Sequence, residues 1–109
     1  MEAKVPPHAT LKGISATYNQ DTIPRTLLHG DVSPAEIWAQ VIVADGEVDL
    51  KVAGRQVRLT PETPAVIPPN TLYSFAGTGK PVRFHMNFYH DPVISDGKSL
   101  AGLMSRRVA

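Results

Sequence analysis

A chain of 109 residues with 11 Lys+Arg against 10 Asp+Glu has room for one small domain and one core, and its balanced charge gives no footprint for nucleic acid. It has no cysteine, which excludes disulfides, thiolate nucleophiles and Cys-ligated zinc and leaves His, carboxylate or weaker oxygen donors for any metal. The opening MEAKVPPHAT lacks an apolar signal core and no apolar run approaches the roughly 20 residues of a membrane span, so a soluble, cytoplasmic protein without a membrane partner is expected.

Ten prolines and eight glycines are spread along the chain, which suggests punctuation between many short strands and an all-β fold. Pro6-Pro7 makes residues 1–12 an irregular arm, with His8 solvated. Ile14 to Tyr18 has the β-propensity of a short strand, and Asp21 to Pro24 turns the chain into a further outer element, Arg25 to His29. Asp31 to Glu36 reads as a loop around Ser33-Pro34. Ile37 to Val43 is apolar on both faces and reads as a central strand.

Asp45-Gly46 is a hairpin signal, after which Val48, Leu50 and Val52 alternate with charged residues; Ala53-Gly54 permits a second reversal into Val57 and Leu59. Together these predict a three-stranded meander. Thr60 to Pro64 is a turn, Ala65 to Ile67 a short strand, and Pro68-Pro69-Asn70 a tight connection in which Asn70 takes the left-handed conformation. Strands follow at Leu72 to Ala76 and Val82 to Tyr89. On the latter, Phe84, Met86 and Phe88 face opposite to His85, Asn87 and Tyr89. His90 and Asp91 read as exposed. Leu100, Leu103 and Met104 recur at helical spacing, so 93–109 is expected to form a C-terminal helical tail on the barrel or a partner chain.

About seven to nine short strands of this kind make a sandwich or small barrel, a shape that often holds one ligand. LLHGDVSPAEIWAQVIVADGEV, VIPPNTLYSF and VRFHMNFYHDP together resemble the TehB/YeaR-like cupin family, over roughly Pro24 to Pro92. The resemblance implies a cupin-like double-stranded β-helix (a jelly-roll barrel) with a short C-terminal helix, and an association with tellurite resistance and oxyanion stress. It also implies three ligand positions. The family's His ahead of the Trp falls on Asp31, its Pro-Pro-x-x-x-His places Tyr73 where histidine is expected, and the often acidic position of the last strand is Asn87. Phenol and amide oxygens are weaker ligands than imidazole or carboxylate for zinc, iron or manganese.

A second register, His29-x-Asp31-x4-Glu36, resembles the general cupin His-x-His-x3-4-Glu, and on a strand residues 29 and 31 would share a face. Its spacing to Gly46 is nine intervening residues, where general cupins have six, a rule that would put the acid at Ala39. Each residue also has an ordinary role: His29 as an edge-strand side chain, Asp31 as a loop cap, Trp38 as core, Gln40 as a solvated residue, Tyr73 as a plug of the cavity. No phosphate loop, Gly-x-Ser-x-Gly elbow or His-Glu-x-x-His occurs.

Two functions are therefore expected. One is a binding cupin with a degenerate metal site, taking a small molecule or anion in a pocket of Trp38, Gln40, Tyr73, Phe75 and Asn87. The other is a metal-dependent oxygenase or isomerase using His29 and Asp31 with zinc, iron or manganese. A homodimer is expected in either case.

Overall fold

The computed structural model describes residues 4–92. Its elements in chain order are β1 (Thr10–Ile14), β2 (Tyr18–Asn19), α1 (Arg25–His29), β3 (Asp31–Val32), β4 (Ile37–Gly46), β5 (Val48–Val52), β6 (Arg55–Leu59), β7 (Ala65–Ile67), β8 (Leu72–Ala76) and β9 (Val82–His90). They form two antiparallel sheets, one in the order β1-β9-β4-β7 with β2 also on β9, the other β3-β8-β5-β6. The expected all-β barrel is present; the expected helical tail lies outside the described residues.

Strand alternation fills the space between the sheets. Ala39, Val41 and Val43 of β4 and Val82, Phe84 and Met86 of β9 face Val48 and Leu50 of β5, Leu59 of β6 and Phe75 of β8. Val41, Val48, Leu50, Ile67 and Phe84 retain no accessible surface, so no water-sized cavity touches them. The rings of Phe75 and Phe84 lie 4.9 Å apart at the centre. This barrel is packed, and burial of such side chains contributes roughly 1.5–3 kcal/mol each.

Several local expectations change: the arm expected to be irregular over 1–12 enters β1 at Thr10, and the expected loop of Asp31 to Glu36 opens with the short strand β3. Ile14 to Tyr18 divides into β1 and β2, because Ser15 turns inward to exchange bonds with Met86: its N–H donates to the Met86 carbonyl at 2.8 Å and its Oγ accepts the Met86 N–H at 2.9 Å. Arg25 to His29 is a helical turn between Pro24 and Gly30, with Leu27 buried; Pro at its start and Gly beyond its end are the usual brackets of a helix. Asp45-Gly46 is no hairpin, since β4 and β5 lie in different sheets and only β5 and β6 form the expected pair. Asp91 is 3% exposed and His90 half-buried, both in carboxylate–imidazole pairs described below. The Ala53-Gly54 reversal is as expected, with both residues at positive φ, and so is left-handed Asn70 (φ 57).

One end of the barrel gathers the start of β4, the ends of β5, β7 and β9, and the start of β8. Ser33 ties it together. Its Oγ donates to the Pro68 carbonyl (2.6 Å) and accepts the Thr71 N–H (2.9 Å), while its carbonyl accepts the Asn70 N–H (3.0 Å). The segment ahead of β4 is thus fixed to the Pro-Pro turn.

Candidate functional site

The structure brings some of the predicted site residues to this end and separates others. His29 is the last residue of α1 and exposed. Asp31 opens β3 and is the register partner of Tyr73 on β8, but its Oδ1 accepts the N–H of Val32 at 2.9 Å, the local-cap role. Tyr73 points into the core, edge-on to Phe75 at 6.1 Å. Burial pushes its phenol above the ordinary tyrosine range, with smaller contributions from the charge of Asp31 and from Tyr18. A neutral phenol in that position closes the barrel end.

Trp38, Gln40 and Asn87 are elsewhere. They alternate with core residues on β4 and β9, so they project from the outer face of the five-stranded sheet while Tyr73 and Phe75 project inward. On that outer face the Asn87 amide and the Tyr89 hydroxyl each donate to Gln40 Oε1 at 3.4 Å. The Trp38 indole N–H and the Asn87 Oδ1 are buried without a partner among the described residues. The expected pocket of Trp38, Gln40, Tyr73, Phe75 and Asn87 is corrected accordingly: side-chain parity divides it between two faces of a sheet.

The fold family implies a divalent metal, and the donor set does not fit one. His29 and Asp31 contribute at most two donors, one Asp31 oxygen is engaged by a backbone amide, and Asn87 lies across the sheet. Among the described residues no three His, Asp or Glu side chains converge as ligands. Two of the other imidazoles pair with single carboxylates. His90 Nε2 donates to Glu36 Oε1 at 2.7 Å, and His8 Nε2 donates to Asp91 Oδ1 at 2.9 Å. The Asp91 N–H donates to the Glu36 carbonyl at 2.8 Å, and Glu36 adopts φ 69, so these contacts bind the N-terminal arm and the end of β9 to the entry of β4.

What the end of the barrel does form is an open groove of about 380 Å³ between α1 and β8, lined by His29, Gly30, Lys51, Gly54, Leu72, Tyr73 and Ser74. Lys51 and Ser74 are register partners on the outer face of the four-stranded sheet. Lys51 forms no ion pair among the described residues. The groove therefore presents an ammonium, an imidazole and a hydroxyl beside exposed Leu72, and none of its lining residues is acidic. Sequence reasoning named only His29 and Tyr73 of this set. Lys51 reads as an ordinary wet-face position and Ser74 only as part of the strand Leu72 to Ala76, and no periodicity announces that a helical turn will overhang them. A second cavity of the same volume, by Gln20, Gly77 and Lys80, has the Gln20 side-chain Oε1 already accepting the Val82 N–H.

The model of the TehB-like domain matches residues 14–86, about two thirds of the chain. The chain belongs to the TehB-like family. Solved structures agree in fold. A protein from Escherichia coli (strain K12) superposes with a TM-score of 0.75 at 14% identity, over 83% of this chain and 98% of that one. TehB from Haemophilus influenzae superposes with a TM-score of 0.72 at 14% identity, over 85% of this chain and 34% of that one, so this TehB-like chain spans about a third of that protein. The Cnp3 cupin domain of Schizosaccharomyces pombe gives 0.53 at 14% identity, over 84% and 75% of the two chains. No curated protein matches the sequence.

The TehB-like domain is thus a small cupin-fold protein, and of the three positions that the sequence resemblance implies as ligands, Asp31 and Tyr73 are side by side across β3 and β8 and Asn87 is on the far sheet. Among its described residues no helix is long and apolar enough to cross a membrane.

Proposed function

We propose that this TehB-like cupin is a binding module that takes a small molecule or anion in the groove between α1 and β8 and needs no metal to do so. The observation that supports this is the juxtaposition of Lys51, His29 and Ser74 around about 380 Å³ of open space, against a barrel interior filled by side chains. An unpaired cation beside a hydroxyl donor suits a carboxylate or oxyanion. The likeness to TehB makes tellurite and selenate natural first probes, and a cytoplasmic setting belongs to the same proposal.

Metal analysis of untagged protein, combined with titration of the labelled chain, tests it. The expected result is far less than one transition-metal ion per chain, together with anion-dependent shifts of amides lining the groove. One tightly bound ion per chain, lost in Asp31→Ala and required for a turnover that His29→Ala abolishes, would overturn it in favour of the oxygenase or isomerase reading.

The homodimer belongs to the proposal as well, through the outer face of the five-stranded sheet. Leu11 and Ile14 of β1 stand there 49% and 62% exposed, opposite Tyr89 and Asn87 on β9. They border Trp38, the register partner of Tyr89 on β4.

A further inference from the structure

The outer face of the four-stranded sheet has two adjoining halves of opposite character. Val32 and Leu72 are register partners on β3 and β8, 54% and 63% exposed, and cross-strand partners share a face. Two residues on, Ser74 pairs with Lys51 of β5 on the same face. His29, at the end of α1, borders the same groove. The apolar pair and the Lys51–Ser74 pair are therefore about 7 Å apart along β8.

Asp49 and Asp31 lie near this face, and neither ion-pairs with Lys51. Asp49, two residues before Lys51 on β5, is held at both oxygens by Arg58, at 2.8 and 3.1 Å. Asp31 pairs with Tyr73, which faces the core, and its Oδ1 caps Val32. Lys51 thus keeps its charge for a ligand. Isolated exposed apolar side chains are ordinary, but here two are adjacent and end at an ammonium that has no ion pair among the described residues.

We infer that the groove takes an anionic amphiphile, a carboxylate with a short to medium hydrocarbon chain, with its head on Lys51, His29 and Ser74 and its chain along Leu72 and Val32. This rests on the groove being the binding site proposed above and names the ligand class. The head gains a charge-assisted hydrogen bond, and the chain removes exposed methyl groups from water, so neither half of the ligand is expected to bind well alone.

The test is amide chemical-shift titration of the full chain with three probes: octanoate, acetate and octyltrimethylammonium. Octanoate is expected to shift signals of residues 29–30, 51–54 and 72–74, with at least tenfold higher affinity than acetate and no matching response to the cationic probe. Lys51→Glu and Leu72→Asp should each weaken octanoate at least tenfold, while Lys80→Glu, in the β8–β9 loop, should change nothing. A retained amide spectrum confirms that each variant folds. Equal binding of the anionic and cationic probes, or an unchanged affinity in Lys51→Glu, overturns the inference. If tellurite or selenate alone moves the groove amides, the site stands and the amphiphile falls. If every probe leaves these amides still, both fall.

Discussion

A Cβ placed on Gly46 would lie 2.0 Å from the carbonyl oxygen of Pro81 and 2.9 Å from the Val82 Cα. Gly46 ends β4 as the register partner of Val82, at φ 79, where the chain leaves one sheet for the other. The obstacle is backbone, so it cannot rotate away. Gly46→Ala is expected to cost about 3 kcal/mol or more, from overpacking and strain together. Chemical denaturation checks this: a midpoint close to that of the wild type would show that the strand end opens freely. Gly54, with nothing within 4 Å of its Cβ position, is the control, and Gly54→Ala should cost about 1 kcal/mol from its positive φ alone.

Gly46 also shows where sequence reasoning stops. Alternation along Val48–Val52, Arg55–Leu59 and Val82–His90 was legible because period two follows from backbone geometry. Asp45-Gly46 has the same local signature as a hairpin, but its glycine answers to Pro81, thirty-five positions on. The candidate site failed for a related reason. Parity along β4 and β9 was readable, yet which parity faces inward is decided by packing against the second sheet, so Trp38 and Asn87 were joined to Tyr73 across a sheet that separates them. Lys51 and Ser74 meet only through strand register.

Asp49 carries an acid-limb prediction. Its carboxyl is held below the usual range first by the Arg58 hydrogen bonds, with burial opposing, and then by the Arg58 charge and the Gln56 amide. A folded-state value below the unfolded one means stabilisation that is present above about pH 4 and lost as pH falls through the folded value. Asp49→Asn should therefore lower Tm at pH 7, and the gap to wild type should narrow steadily on acidification. Thermal melts between pH 2 and 7 check it; parallel curves would remove Asp49 from the linkage.

Tyr73 gives the opposite limb. Burial raises its phenol above the ordinary value, so the unfolded chain ionises first and stability is lost as pH rises above about 10. Phenolate absorbance of the folded protein should contain a late component that Tyr73→Phe removes. The variant should also keep the core intact, because ring packing on Phe75 survives loss of the hydroxyl. Disappearance of some other component in Tyr73→Phe would mean that the hydroxyl reaches water.

The outer face of the five-stranded sheet predicts association. Leu11 and Ile14 project beside Tyr89 and Asn87, and the Trp38 N–H and Asn87 Oδ1 are a donor and an acceptor without partners among the described residues. Both atoms are closed off within the chain, so the exposed apolar surface of Leu11 and Ile14, not these groups, carries the association. A stable homodimer needs on the order of 800 Å² from each chain, and a charge at the centre of that area opposes it. Light scattering should give twice the 11.8 kDa chain mass for the wild type. Ile14→Asp should move the mass toward one chain, because the new carboxylate would be buried unpaired in the interface. Its octanoate titration should stay unchanged, since β1 and the groove lie on different sheets. A wild-type mass of one chain at high micromolar concentration would remove this face as an interface between copies.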